Sequence, residues 1–390
     1  MRPTRLALAV AVAVAVWLGA LASPAAAQRV ELAGRVTASR TVLSQRRVGE
    51  ARYVAISDLF YRDRSALVEV LDLATQTVVQ VQIKRALLER RFGVARDGAI
   101  AVPQGEVVVY REGVVGLALA EPATGASRRF WYAELDARTG KLLRSAVLAT
   151  LRSGEQLDII GADAAGAAAW FAKTEFAGRG RTLVLRRFDL AALEARDEQR
   201  VALAVRAASP AAEHAVRVHA SADFARFAIV EYVEDGVRMA PGHIYIADPA
   251  AASSFAIPAP PTAYGVAFSP DGRYVYLGSA QLGTISRVDV AAGRVDKQVA
   301  APRYIHHLVV SSNGTKLFAL ASSTMYAVYD LPDLKARADT AHASSVAPAM
   351  VQLSGNGVAS LDGGFFVVPE AEDRRKPPRD RGYVIARLVD

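Results

Sequence analysis

The chain has 390 residues, a formal net charge of +8 and no cysteine. The absence of cysteine excludes disulfides, thiol nucleophiles, iron–sulfur clusters and thiolate-bound zinc. The hydrophobic content of 52% is typical of a globular protein and supplies enough apolar surface for one large core or for two ordinary domains.

The N-terminal segment has the order of positive charge, apolar run and small residues that is typical of an export signal. Two arginines precede an uninterrupted apolar run over residues 6–22, and Ala25 and Ala27 form an A-x-A pattern. The pattern predicts a signal peptide over residues 1–27, cleavage before Gln28 and a periplasmic or secreted mature protein. The alternative is an uncleaved anchor, because the apolar run is close to the roughly 17–25 residues that a membrane span needs.

Positive charge in the rest of the sequence is dispersed. Arginines occur as short pairs, such as Arg46-Arg47 and Arg90-Arg91, and no dense basic arm is present. We therefore interpret these arginines as solvated surface, and we do not expect an exported protein of this kind to bind nucleic acid. After cleavage of the signal, the sequence predicts no membrane span.

An internal repeat follows the signal. A turn of the type Ser-x-Asp/Asn-Gly lies between two alternating apolar runs and returns about every 42 to 48 residues. Such turns join the two strands of a hairpin, because Gly and Asn accept the positive φ that tight turns require. The copies are Ser221–Phe224, which lacks the glycine, Ser269–Gly272, Ser311–Gly314 and Ser354–Gly357.

A second sequence mark supports the same period. Alternating strands end in an aspartate that is followed by a short polar or glycine-bearing turn, and the last three of these aspartates are about 41 residues apart. Two independent marks with one period indicate a true repeat. The aspartates are Asp72, Asp136, Asp189, Asp248, Asp289 and Asp330.

Each repeat contains about four short strands, as residues 264–299 show most clearly. Four strands in roughly 42 residues form the unit of a propeller blade. We therefore predict an all-β fold, a single seven-bladed β-propeller over residues 28–390, and six or eight blades remain possible. The predicted blades are 38–92, 93–152, 153–210, 211–258, 259–301, 302–344 and 345–390.

Two further expectations concern the ends and the helical segments of this propeller. The strand Arg29–Val36 precedes the first blade, and we predict that it pairs with the last blade and closes the ring. No long amphipathic helix is expected after residue 28. The helix-forming residues at Leu190–Arg200 and Leu334–Thr340 are interpreted as turns and strand flanks.

The repeats between Ala211 and Ser354 resemble the YVTN/YncE-like and WD40-like propellers of bacterial envelopes. The likeness is carried by Tyr264–Gly278, with its Ser-Pro-Asp-Gly turn, and by Ile285–Val290. The Trp-Asp dipeptide of true WD40 repeats is absent. The resemblance implies a seven-bladed fold, and it implies no particular activity, because such propellers serve many unrelated functions.

Motifs of catalysis and cofactor binding are absent from the sequence. It contains no Gly-x-Ser-x-Gly elbow, no phosphate-binding Gly-x-x-x-x-Gly-Lys loop and no His-Glu-x-x-His zinc motif. We therefore assign no catalytic residue, and we predict neither a cofactor nor a metal ion.

A ligand site is predicted where the inner strands begin, because loops from every blade converge at that end of a propeller. The pair His306-His307 lies there, at the place that Tyr264 and Gly265 occupy one repeat earlier. Adjacent residues of a strand point to opposite faces, so only one histidine can face a given pocket. The predicted ligand-binding residues are Tyr264, Arg303, Tyr304, His306 and His214.

This residue set suits an anionic or polar small ligand, or the loop of a protein partner from the cell envelope. The sequence therefore predicts an exported, non-catalytic binding propeller. One alternative is an envelope enzyme or a subunit of one, either lactonase-like or the cofactor-free propeller subunit of a quinoprotein amine dehydrogenase. A structural protein of the cell surface is a further alternative.

Overall fold

The computed structural model describes most of the chain after the expected signal peptide. Residues 1–28 and the fourth serine turn, 354–357, lie outside the described residues. The described residues are 29–37, 46–48, 52–96, 99–111, 113–123, 126–163, 165–177, 180–203, 213–235, 238–240, 243–258, 260, 263–303, 305–311, 313–321, 325–342, 358–359, 365–369 and 382–389.

The described residues form seven antiparallel sheets with the four-stranded topology of propeller blades, so the predicted seven-bladed β-propeller is confirmed. Each predicted repeat contains the strands of one blade, except that the last blade takes its fourth strand from residues 29–37, and the second repeat also contains a separate two-stranded hairpin. The first part of the chain contains β1 (Arg29–Thr37), blade 1 with β2 (Arg46–Arg47), β3 (Tyr53–Ala55), β4 (Phe60–Arg62), β5 (Ser65–Asp72) and β6 (Thr77–Lys84), helix α1 (Arg85–Phe92), and the hairpin β7 (Val94–Arg96) and β8 (Ala99–Ala101).

Blades 2 to 4 follow the hairpin. Their strands are β9 (Gln104–Arg111), β10 (Val114–Ala120), β11 (Ser127–Asp136) and β12 (Leu142–Arg152) in blade 2, β13 (Gln156–Ala162), β14 (Ala168–Ala177), β15 (Gly180–Asp189) and β16 (Glu194–Leu203) in blade 3, and β17 (Glu213–Ala220), β18 (Phe227–Asp235), β19 (Arg238–Ala240), β20 (His243–Asp248) and β21 (Ser253–Pro258) in blade 4.

Blades 5 to 7 complete the ring, and β1 adds the fourth strand of blade 7. Their strands are β22 (Ala263–Phe268), β23 (Tyr274–Ser279), β24 (Thr284–Asp289) and β25 (Arg294–Ala300) in blade 5, β26 (Ile305–Val310), β27 (Lys316–Ala321), β28 (Met325–Asp330) and β29 (Lys335–His342) in blade 6, and β30 (Val358–Ala359), β31 (Phe365–Pro369) and β32 (Gly382–Val389) in blade 7.

The two ends of the propeller have different connections. The first strand of each blade begins at one end, which we call the upper face, and the turns between second and third strands lie at the same end. The opposite end, the lower face, carries the turns after the first and third strands. Because the strands within each blade are antiparallel neighbours, this division holds for every blade.

Ring closure takes place between blade 7 and blade 1. β1 pairs antiparallel with β32, as predicted, from Arg29 opposite Val389 to Thr37 opposite Gly382. In the apolar cluster that joins the two blades, the fully buried Tyr383 donates its hydroxyl to the carbonyl oxygen of Ile56 at 2.7 Å. The cluster also includes Val36, Val54, Ile56, Leu71, Leu73 and Ile385.

The three described serine turns share one hydrogen-bond pattern. Each serine hydroxyl donates to the Asp or Asn two residues later, at 2.5–2.8 Å, and accepts the backbone N–H five residues later, at 2.9–3.0 Å. The third position after the serine has positive φ in each copy, including Phe224 at 56°. The turn therefore forms even where glycine is absent, because the serine and aspartate bonds hold the backbone in place.

The six marked aspartates each form the last residue of the third strand in their blade. Five of them accept a backbone N–H from the turn that follows, as Asp136 does from Thr139 at 2.7 Å. This geometry is an Asx-turn, in which a short carboxylate replaces a backbone acceptor. The repeat mark thus has a local physical cause.

Helix α1 is a departure from the predicted structure. It covers eight residues between blades 1 and 2, and its buried side chains are Leu88 and Phe92. Phe92 packs against Trp131 of blade 2, with ring centroids 5.7 Å apart. Two buried positions on a single two-turn helix give too weak a periodicity for recognition from sequence. No helix in the described part of the chain is long and apolar enough to span a bilayer.

The segments at Leu190–Arg200 and Leu334–Thr340 agree with their interpretation as turns and strand flanks. Each consists of a turn followed by an outermost strand, β16 or β29. Tertiary pairing therefore overrides the helical propensity of these residues.

A buried ion pair links blade 2 to blade 3. Glu134, which is buried on β11, accepts the hydroxyl of Tyr132 at 2.9 Å and the guanidinium of Arg144 at 2.5 and 2.9 Å. The same guanidinium donates to the carbonyl oxygens of Leu190 and Ala191 at 2.6 and 2.9 Å. Arg144 therefore satisfies a buried carboxylate and the backbone of the next blade at once.

We expect Arg144→Met to lower the free energy of unfolding by about 3 kcal/mol, because it leaves the buried carboxylate of Glu134 with weaker partners. Urea denaturation of the mature chain measures this change. The double variant Glu134→Gln/Arg144→Met should recover part of the loss, since no buried carboxylate remains and the guanidinium of Arg111, 3.5 Å from Glu134, is partly exposed. Arg138→Met, at an exposed turn, is the control and should change stability by less than about 0.5 kcal/mol. An equally small effect of Arg144→Met would contradict the structural role of the pair.

Ring closure is tested at Tyr383. Tyr383→Phe should lower the free energy of unfolding by about 1 kcal/mol, because it removes the donor to Ile56, and Tyr383→Ala should lower it by about 3–5 kcal/mol through a cavity. The matched control is Tyr53→Phe, because the Tyr53 hydroxyl has no hydrogen bond to the described residues and its loss should be neutral. Urea denaturation measures all three variants. If Tyr383→Ala leaves the free energy of unfolding unchanged, ring closure through this interface is excluded.

Candidate functional site

Three of the five predicted site residues lie near the start of an inner strand. His214, Tyr264 and His306 are the second residues of β17, β22 and β26, which are the inner strands of blades 4, 5 and 6. Tyr264 and His306 each lie five residues before the serine of the following turn, whereas His214 lies seven residues before Ser221 and is therefore not at the equivalent position. Their backbones therefore lie at the upper end of the central channel. The structure describes the backbone of these three residues, and Tyr304 lies outside the described residues.

Two of these positions are β-bulges. In blade 5, Ala263 pairs with Ser279 and Gly265 with Gly278, so that Tyr264 is the extra residue of β22. The register of blade 6 is interrupted in the same way at His306. A bulge redirects a side chain out of the regular alternation and is frequent beside binding sites. The correspondence between the Tyr264 and His306 positions, inferred from the repeat, agrees with the strand register.

Close packing of blades 5 and 6 fixes the positions of these bulges. A Cβ atom on Gly278 would lie 2.7 Å from Ile305, and one on Gly265 would lie 2.9 Å from Leu308. Both distances are shorter than real Cβ contacts. The two glycines are therefore required for the close approach of β22, β23 and β26.

Arg303 lies on the upper face, as predicted, and is exposed. It follows Ala301, whose N–H donates to the carbonyl oxygen of Gly283 at 2.9 Å, and its Cγ lies 3.1 Å from the position of a Cβ on Gly283. The stem of Arg303 is thus packed against the turn after β23. Its guanidinium forms no ion pair with the described residues and is available to a ligand.

The structure adds three side chains that the sequence did not assign to the site. Arg217 and His219 lie two residues apart on β17, on the face opposite to Val218. His307, on β26, is buried. The charge of Arg217 and the imidazole of His307 both act on His219. Because blade 5 separates blades 4 and 6, we infer that side chains from their inner strands approach each other at the central channel.

His219 is held in its neutral form. Burial lowers the pKa of its imidazole to about 4, and the neighbouring Arg217 and His307 lower the pKa in the same direction. Its Nε2 atom is buried and has no hydrogen-bond partner among the described residues. A neutral imidazole nitrogen without a partner, beside a guanidinium, is a hydrogen-bonding position that a ligand can use.

The sequence contains one signal for this group, which is the alternation of apolar and polar residues at Val216, Arg217, Val218 and His219. It places polar residues on one face of an inner strand directly before the Ser221 turn. The sequence could not show that His307, about ninety residues later, would lie nearby. Within the described ranges, no group of three or more His, Asp or Glu residues has the geometry to hold a metal ion.

A second concavity lies on the upper face between blades 2 and 3, with a volume of about 440 Å³. Apolar side chains such as Phe130 and Leu157 line it beside charged residues. Its charged groups include Glu155, which pairs with Lys173 at 3.3 Å, and Arg128, which donates to the carbonyl oxygen of Glu121 at 2.7 Å. The channel group differs in the buried Nε2 atom of His219, which has no hydrogen-bond partner among the described residues, and it is therefore the better candidate for ligand binding.

Comparisons with known proteins give little beyond the fold. No family model matches the chain, and no curated protein matches it. Among solved structures, one chain of the crystal structure of the mitotic checkpoint complex is similar over 93% of this chain and 91% of that chain, with a TM-score of 0.49 and 12% sequence identity. The propeller assignment rests on the seven sheets of the chain itself.

The lowered pKa of His219 predicts a pH dependence of stability. The unfolded chain takes up a proton near the ordinary pKa of 6.5, whereas the folded protein does so only near 4. Stability therefore falls as the pH is lowered from about 6.5 to about 4, by about 2 to 3 kcal/mol from this group.

His219→Gln should remove that part of the acid-induced loss. Urea denaturation at pH 7.5 and pH 4.5 measures it, and the values at pH 7.5, where the wild-type imidazole is neutral, provide the baseline for each protein. Equal losses of stability in the two proteins would show that His219 is not buried in its neutral form.

Proposed function

We propose that the protein is an exported, non-catalytic binding propeller that takes an anionic ligand in its central channel, beside the inner strands of blades 4 to 6. The ligand is either a small polar anion or an acidic loop of an envelope protein. The observation that carries the proposal is the group of Arg217, His219 and His307 at the channel. The exposed Arg303 lies on the upper face, directly before the inner strand of blade 6.

The chemistry of this group favours binding over catalysis. Arginine is permanently charged and presents several N–H donors in a fixed plane, which matches carboxylate and phosphate oxygens. The neutral His219 adds an unpartnered ring nitrogen, which can take part in one directed hydrogen bond. The group contains no hydroxyl or carboxylate group for its imidazoles to activate. The bulges at Tyr264 and His306 place two further polar residues on the inner strands of this channel, toward its upper end.

Export is part of the proposal and rests on the sequence of residues 1–27. The likeness of the central repeats to YVTN/YncE-like propellers supports a location in the envelope. Mass spectrometry of the protein isolated from cell fractions tests it. We expect a mature chain that begins at Gln28 in the periplasmic or secreted fraction, and a full-length chain in the cytoplasm would contradict it.

Ligand binding is tested by thermal-shift screening of the mature chain against carboxylates, phosphates and sulfate, followed by calorimetry of any hit. We expect Arg217→Gln and Arg303→Gln each to weaken binding about tenfold or more, because each removes a charge-assisted hydrogen bond. His306→Ala probes the bulge position in the same assay.

The matched control is Arg294→Gln, which removes an exposed arginine from the turn after β24 on the lower face. This variant should bind like the wild type. If Arg217→Gln, Arg303→Gln and His306→Ala all keep wild-type affinity for every hit, the proposed site is wrong.

A further inference from the structure

Exposed cations are concentrated at one place on the upper face, where blade 1 meets the inserted helix α1. We call this surface the basic ridge. It is formed by residues from the turn after β4, from the end of β6 and from the last turn of α1, and all five are exposed. They are Arg62, Arg64, Lys84, Arg90 and Arg91.

The fold makes these five residues one continuous surface. The backbone N–H of Arg85, at the start of α1, donates to the carbonyl oxygen of Arg64 at 3.0 Å, so that the turn lies against the beginning of the helix. Arg90 and Arg91 lie near its other end, about 8–9 Å further along at a rise of about 1.5 Å per residue. In the sequence, the two parts of the ridge are separated by a complete hairpin.

The charges of the ridge are not neutralised by the protein. None of the five residues forms an ion pair with the described residues, and the nearby Glu89 pairs with Arg85 at 2.7 Å. The exposed Asp63 is the one other acidic residue of these segments. Arginines that stabilise the blades have a carboxylate partner. Arg287, for example, forms an ion pair with Asp296 at 2.8 Å. Arg90 donates its Nε–H to the carbonyl oxygen of Ala86 at 3.2 Å, and this exposed bond leaves its charge unpaired among the described residues.

An exposed apolar residue lies beside the ridge. Ile100, on β8, is 49% exposed. Its Cγ2 lies 3.0 Å from the position of a Cβ on Gly93, directly after the last turn of α1. Buried Leu88 and Phe92 hold the helix on the propeller, so that Ile100 and the cations are presented on a fixed frame.

We propose that the basic ridge, together with Ile100, binds the surface of a membrane that contains anionic lipids. Several unpaired cations attract the negative surface of such a membrane, and an adjacent apolar side chain can enter the region between headgroups and acyl chains. The exposed Ile100 beside the cations favours a membrane over an acidic peptide, because a purely ionic contact does not require an apolar side chain. This contact is independent of the ligand site on blades 4 to 6.

Vesicle sedimentation of the mature chain tests the proposal. We expect binding to vesicles of equimolar phosphatidylglycerol and phosphatidylcholine, little binding to pure phosphatidylcholine, and release at high salt, because salt screens the attraction. Arg62→Gln/Arg64→Gln and Arg90→Gln/Arg91→Gln should each lower the partition coefficient about tenfold or more. Ile100→Ser should lower it severalfold and leave the salt dependence unchanged.

The matched control is Arg138→Gln/Lys141→Gln, which removes two exposed charges from the lower face and should bind vesicles like the wild type. Equal vesicle binding by the ridge variants and this control would overturn the proposal. Displacement of the wild type from vesicles by an equal charge concentration of poly-glutamate would also overturn it, in favour of an acidic protein. Circular dichroism checks that each variant is folded. Lys84→Glu is a further variant that changes the charge of the ridge.

Arg217→Gln and Arg303→Gln distinguish the two proposals. Both variants should lose affinity for small anions and keep full binding to vesicles. Loss of vesicle binding in these variants would show that the membrane contact is made by blades 4 to 6 and would overturn the role of the ridge.

Discussion

Pairing of β1 with β32 joins the two ends of the chain, and the burial of every blade depends on it. A blade covers its faces only with its two neighbours, so an open ring would expose one apolar face of blade 7 and one of blade 1. The Tyr383 hydroxyl and the cluster around Val36, Ile56 and Ile385 fill that interface. Because the chain has no cysteine, no disulfide can take over this role. The stability of the protein is therefore a property of the closed ring more than of any single blade.

Arginines reinforce the interfaces between blades in a recurring way. Arg144, Arg226 and Arg287 each lie near a carboxylate of their own blade and donate to a backbone carbonyl oxygen of the next blade. This arrangement explains the positions of these three arginines. Arginines without such partners indicate candidate binding surfaces, because neither burial nor contacts between blades account for them. The exposed Arg303 and the basic ridge belong to this second group.

The sequence predicted those features that have a local cause. The serine turns and the strand-ending aspartates depend on side chains that bond to the backbone within five residues, so their pattern is visible in the sequence and even Phe224 follows it. Helix α1 was missed because its periodicity extends over two turns. The ridge and the group of Arg217, His219 and His307 were missed for another reason. Their members come from different hairpins or blades, and only the strand order brings them together.

The protonation state of His219 links anion binding to pH. Its neutral form depends on burial and on the nearby charge of Arg217, which disfavours a second positive charge. An anion bound at Arg217 would offset that charge and raise the pKa of His219, and by linkage, protonation of His219 would strengthen the binding of the anion. A lower pH therefore has two opposite effects. It lowers the free energy of unfolding, because the unfolded chain takes up a proton more readily than the folded protein. It also raises the affinity of the site for an anion. A bound anion should protect the protein most at the lower end of the pH range in which the propeller remains folded.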